Sequence, residues 1–269
     1  MIVQKYKQPL LFYLLATFVP WALWLIAAAI SHSDISSSSA LQSLFAFAGL
    51  MAPLVIAFSI IHQDKDLLND FWGRFLNFKE VKFRYLFAAF FLILISILLA
   101  QAVSLLFGYS ADQFQLAESF SFTSGIFPVW FLLIAAPLIE ELAWHSYGTD
   151  CLRSRFSLFT TSVIFAIYWG IWHMPLSLIK DYYHSNLVET GILYSLNFLV
   201  SLIPFVLIMN WLYYKSNRNI TITIIFHITA GYFNEIFCTD PMSKVIQTVL
   251  LLLFSIYLIL NDKKFFFKK

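Results

Sequence analysis

Charge is what this sequence has least of. Only 12% of its 269 residues are Asp, Glu, Lys or Arg, about half of the roughly 25% usual in soluble domains. With 60% hydrophobic residues and a mean hydropathy of +0.78, that deficit excludes a water-soluble globule and a disordered chain. The formal net charge of +2 gives no basic excess for a polyanion, which excludes a nucleic-acid-binding domain. Cysteine is equally sparse: Cys151 and Cys238 lie far apart and form no CxxC, so neither a disulfide framework nor a thiolate metal site is indicated. No internal repeat is present, and neither the collagen nor the coiled-coil period appears. What the chain has instead is aromatic and aliphatic bulk, with 30 Phe and 19% aromatic residues. This composition describes a polytopic membrane protein.

A span needs about 20 mostly apolar residues to cross a hydrocarbon core about 30 Å thick. Eight stretches meet or approach that length: 10–30, 41–61, 85–108, 127–152, 157–179, 190–214, 219–237 and 243–260. The first is too long, and lacks the small-residue cleavage site, for a removed signal peptide. Runs such as 87–99 show no strand-like alternation, so the spans read as helices. With eight spans, 15 of the 17 Lys and Arg fall in the terminal segments and the loops on their side, leaving Lys180 and Lys244 opposite. That asymmetry predicts both termini in the cytoplasm. The expectation is an all-α, single transmembrane domain over 1–269 with about eight helices.

Smaller features fit this frame. The polar stretch His62–Arg84 carries Phe71, Trp72, Phe75, Leu76 and Phe78 among its charges. It reads as a short interfacial amphipathic helix or as a loop anchored by aromatics. The serine run at 36–39 reads as an external loop, and Phe265–Phe267 with its lysines as a membrane-hugging tail.

An ionisable residue inside a span costs a few kcal/mol and normally faces a cavity or a partner. The first three predicted spans contain none in their interiors. The fourth carries Glu140, Glu141 and His145, the fifth His173, and the seventh His227, with Asn234 and Glu235 nearer its outer end. Glu141 and His145 are i,i+4 neighbours on one helix face, while Glu140 points about 100° away. His227, Gly231 and Asn234 form a single stripe. Helical rise puts Glu140 and His227 at similar depths but His173 nearer the opposite surface, a tension for any common site. Pro175 places a kink or helix end near His173.

Four readings of these groups stay open. They are hydrogen-bonded ties between helices, a zinc site, an ion or proton pathway, and hydrolysis with a buried carboxylate as general base and imidazole or amide donors for an oxyanion. HExxH is absent, no two histidines share a helix face at i,i+4, and no pair of related halves suggests a transporter.

Three motifs then acquire a family look. Glu140-Glu141-Leu-Ala-Trp-His145 resembles the EExxxR signature of the CAAX prenyl endopeptidase and bacteriocin-processing (abortive-infection) family. The segment from Phe165 to His173-Met-Pro resembles its aromatic-rich second motif ending in His, and Phe226-His227-Ile-Thr-Ala-Gly231 its HxxxN motif. Order and spacing agree across about 140–234, and the family's eight-helix architecture matches the chain. Two positions depart: His145 replaces the motif arginine and Gly231 its asparagine, with Asn234 a candidate stand-in.

The resemblance implies an intramembrane endopeptidase that hydrolyses a bond near the C-terminus of a prenylated CAAX-type or bacteriocin-like substrate. In it Glu140 with His173 activates water, Glu141 positions the site through His145, and His227 stabilises the oxyanion. His145 pairs with Glu141 only while protonated. No cofactor or metal is implied. The partners are membrane lipids and the peptide substrate, not nucleic acid, and the expected location is the cell membrane. The two departures keep a second expectation open, a catalytically altered or inactive member serving as a membrane scaffold or immunity protein.

Overall fold

The computed structural model describes residues 2–33, 38–123 and 125–269. Among the described residues twelve α-helices carry the fold: α1 (Pro9–Ser31), α2 (Ser38–Ile61), α3 (Lys65–Arg74), α4 (Phe83–Leu105), α5 (Val129–Ala143), α6 (Thr149–Arg153), α7 (Leu158–His173), α8 (Tyr183–Thr190), α9 (Ile192–Lys215), α10 (Ile220–Glu235), α11 (Pro241–Asn261) and α12 (Lys263–Phe267). There is no strand among the described residues. The 36–37 part of the expected serine loop lies outside them.

All eight expected spans correspond to helical segments, though not all are simple rods. Six are long and apolar enough to cross a membrane unaided: α1, α2, α4, α9, α11 and the joined segment Val129–Arg153. The fifth is bent. A 3-10 turn, Met174–Leu178, follows α7, and α8 then leaves at 89°. Pro175 sits in that turn, and His173 is the last α-helical residue before it. The seventh, α10, has only 16 residues, about 24 Å of rise, short for a 30 Å core. It is enclosed by α4, α5 and α9 instead of standing at the edge. Large apolar side chains remain exposed along α1, α4, α9 and α11, the exterior that a hydrocarbon solvent favours.

Local chemistry sets the helix limits. Asp64 caps α3 by accepting from the Asp66 and Leu67 amides. Ser157 caps α7, Asn219 caps α10 and Asp240 caps α11, with Pro241 in its first turn. Gly191 joins α8 to α9 at φ +134°, which a side chain would resist. Gly49 lets α2 meet α1 closely: a Cβ there would lie within 3 Å of the Trp24 indole, whose Nε1 donates to Ala46 O.

Two sequence expectations are sharpened. The 62–84 stretch contains a real helix, α3, which buries Leu67, Phe71 and Arg74. The aromatic tail is packed on protein: Phe266 in α12 is buried and Phe267 meets the Phe159 ring.

At the end bearing the termini, the fold is closed by a buried ionic cluster. A π-helical turn, Trp144–Gly148, separates α5 from α6, and such a wide turn disturbs the regular carbonyl pairing. Arg74 fills the gap, donating through Nη1 to His145 O (3.0 Å) and through Nη2 to Ser146 O (3.0 Å). Asp150, fully buried, lies against Arg74 and Arg218 and accepts from the Tyr214 hydroxyl at 2.8 Å. Asp70 pairs with both arginines. Burial alone would lower the affinity of the Arg218 guanidinium for its proton. Asp150, with Tyr213 and Asp70 beside it, raises it above its ordinary value. Removing one partner from such a cluster leaves an unpaired buried charge, typically worth 3–5 kcal/mol. Asp150→Asn is therefore expected to lower the thermal unfolding midpoint in detergent markedly. Asp66→Asn, in the exposed Lys5–Asp66 pair, leaves the midpoint unchanged.

Candidate active site

Glu140 and Glu141 are adjacent on α5 but face different surroundings. Glu140 is 7% exposed and lines a cavity of about 590 Å³. Its Oε2 accepts from the indole N–H of Trp169 on α7 at 2.9 Å and from that of Trp144 at 3.3 Å. Glu141 does not reach the cavity. It is wholly buried, and both its oxygens face imidazoles: Oε1 lies 2.9 Å from His227 Nδ1, and Oε2 pairs with His145 Nδ1.

The pairing expected of His145 is present, and the ring is held from its far side too. Ser162 Oγ donates to the Leu158 carbonyl (2.9 Å) and accepts from Asn210 Nδ2 (2.9 Å). That arrangement turns Asn210 Oδ1 toward His145 Nε2, at 2.9 Å. Both ring nitrogens face acceptors, which a ring carrying both protons satisfies.

His173 and His227 join Glu140 around the one cavity. His173 Nδ1 lies 2.6 Å from Trp169 O, one turn back on its own helix. Its ring thus folds toward the start of α7, which narrows the depth difference inferred from helical rise. The Trp169 ring stands between, 5.4 Å from the His173 ring and 5.1 Å from the His227 ring. Asn234 and Gly231 also line the cavity, and Asn234 Nδ2 donates to Ala230 O at 2.8 Å. Seven residues separate Asn234 from His227, about 10 Å along α10. It shares the stripe without standing beside that imidazole. A Cβ at Gly231 would meet only Leu133 Cδ2, at 3.6 Å, so a side chain fits there. Among the described residues, no three His, Cys, Asp or Glu side chains converge to hold a metal ion.

Residues 122–233 match the family described as type II CAAX prenyl endopeptidase, Rce1-like. The chain is 37% identical over 271 residues to CAAX prenyl protease 2 of Methanococcus maripaludis, covering all of this chain and 99% of that protein. This chain belongs to the type II CAAX prenyl endopeptidase family. The match spans the three motif segments up to Phe233 and leaves Asn234 just outside.

Several neighbours of these residues lie at positions the motifs leave unspecified or outside the motifs altogether. Trp144 and Trp169 donate to Glu140, Asn210 orients His145, and His184 on α8 stacks on His173 at 5.0 Å. Asn210 had a signal, being an amide deep in an apolar span. The others read as ordinary aromatics, and His184 as part of a loop. Asn210→Leu leaves the His145 Nε2 proton buried and unpaired, a loss of about 1–3 kcal/mol. Its expected result is a lower unfolding midpoint in detergent, whereas Asn197→Leu, on the cavity-lining turn of α9, gives a smaller change.

Proposed function

We propose that the chain is an intramembrane endopeptidase that hydrolyses a peptide bond near the C-terminus of a prenylated CAAX-type substrate, using water activated by Glu140. The observation that carries this reading is the Glu140 carboxylate itself, on the wall of an apolar-lined cavity, with its Oε2 accepting from two indoles and its Oε1 making no hydrogen bond among the described residues. A carboxylate fixed this way presents one oxygen as a general base. The name of the Methanococcus relative supports the prenylated class over a bacteriocin-like peptide.

The chemistry follows from the ring orientations. His173 Nδ1 donates to Trp169 O, which leaves Nε2 with its lone pair toward the cavity to orient the same water. Water oxygen adds to the scissile carbonyl carbon, and its proton passes to Glu140. His227, steadied through Nδ1 by Glu141, offers Nε2 to the developing oxyanion. As the tetrahedral intermediate collapses, the C–N bond breaks and the amine takes the proton from Glu140. The products are a new carboxylate on the prenylcysteine and a free tripeptide. Glu141 and His145 act by position, not by contact with substrate. The isoprenoid lies in the bilayer, which favours it by about 0.8 kcal/mol per methylene.

A farnesylated CAAX peptide incubated with the purified protein should release its C-terminal tripeptide. Glu140→Ala should reduce that release by at least 100-fold while leaving the unfolding midpoint near that of the unaltered protein. No release by the unaltered protein, or equal release by the substituted one, overturns the assignment.

The location proposed is the cell membrane with both termini in the cytoplasm, supported by the 15-to-2 distribution of basic residues. Cys238 is exposed beyond α10, and Cys151 is buried. A membrane-impermeant maleimide should label the protein in intact cells, and Cys238→Ser should abolish the labelling. Labelling only after lysis reverses the orientation.

A further inference from the structure

The cavity that holds Glu140 extends to a second polar end, made by Glu235 at the close of α10 and Lys244 in the first turns of α11. Among the described residues Lys244 is the only basic one, histidines aside, on its lining. Its ammonium makes no hydrogen bond and no ion pair among the described residues, although it lies in a half-buried position. The charged neighbour of that ammonium is the Glu235 carboxylate. Glu235, however, is already engaged: its Oε2 accepts from the Ser121 amide at 3.1 Å and the Ser121 hydroxyl at 2.8 Å. A cation near the N-terminus of a helix is also on the unfavourable end of the helix dipole. Lys244 is thus a half-buried cation on the cavity wall that makes no direct ion pair among the described residues.

The spacing is informative. His227 and Glu235 are eight residues apart on α10, about 12 Å of helical rise. Three residues of extended peptide reach about 10 Å. A chain whose scissile carbonyl lies at Glu140 and His227 therefore delivers a carboxylate, three residues on, to the Lys244 end.

We infer that Lys244 is the anchor for the free C-terminal carboxylate of the substrate and so measures the three-residue distance to the cleaved bond. This subsite rests on the hydrolase reading above and adds to it a residue outside the three motifs. It makes the protein an enzyme of chain ends: an internal sequence, or a terminus capped as an amide, lacks the group that Lys244 receives. Asn234, between His227 and Glu235 on the same stripe, faces the peptide on its way to that anchor.

The experiment compares two farnesylated CAAX peptides, one ending in a free carboxylate and one in a carboxamide, on the full-length protein in detergent. The unaltered protein should prefer the acid by tenfold or more in kcat/KM, the range of a hydrogen bond to a charged group. Lys244→Met and Lys244→Gln should lose that preference, mainly through a higher KM for the acid, while their unfolding midpoints in detergent stay near that of the unaltered protein. Lys244→Arg should retain it. An equal preference in Lys244→Met, or none in the unaltered protein, overturns the anchor and leaves the hydrolase reading intact. Release from neither peptide by the unaltered protein overturns the hydrolase reading and the anchor with it.

Discussion

Glu141 lies fully buried in an apolar interior, where an unpaired carboxylate costs several kcal/mol, and each of its oxygens is taken by an imidazole nitrogen. One of those imidazoles stands on its own helix and the other on α10. Through His145 the tie continues to Asn210 on α9 and Ser162 on α7. A single carboxylate thereby links four helices, and it sets where His227 stands relative to Glu140, one residue away. Loosening any member of this chain moves His227 relative to Glu140.

The π turn Trp144–Gly148, which contains His145, is the second constraint. It lets Trp144 and His145 project differently from a regular continuation of α5, and it leaves carbonyls that a straight helix would have satisfied. Arg74, from α3, supplies the missing donors. Asp150 and Asp70 then balance Arg74 and Arg218. The terminus-bearing end of the bundle is in this sense the support for the candidate site: its ionic cluster holds the backbone that follows Glu140 and Glu141. The opposite end carries fewer charges; among the described residues neither Lys180 nor Lys244 makes an ion pair there, and Lys244 lines the cavity.

Much of this was legible from the residues. Scarce charge and eight apolar runs were enough for an all-α membrane protein, because a bilayer accepts little else. Glu140, Glu141, His173 and His227 stood out because ionisable groups are expensive in spans, and three of them do line one cavity, with Glu141 behind it. The expectation that His145 pairs with Glu141 followed from i,i+4 spacing and is met. Less was legible where the partner lies far along the chain. Asp150 went unremarked at the margin of a span, His184 looked like a loop residue, and the short, enclosed α10 looked like any other span, because hydropathy does not distinguish lipid from protein as surroundings.

The sequence by itself determined the solvent, the helical class, the approximate spans and the costly residues, since each of these follows from composition or from contacts within one helix turn. Only the tertiary structure decided which glutamate faces the cavity and which is sealed behind it. It also decided that Trp169 stands between the two histidines and that Lys244 shares their cavity. Those outcomes depend on how helices distant in sequence rotate and cross. That is a matter of packing between surfaces, which no local pattern encodes.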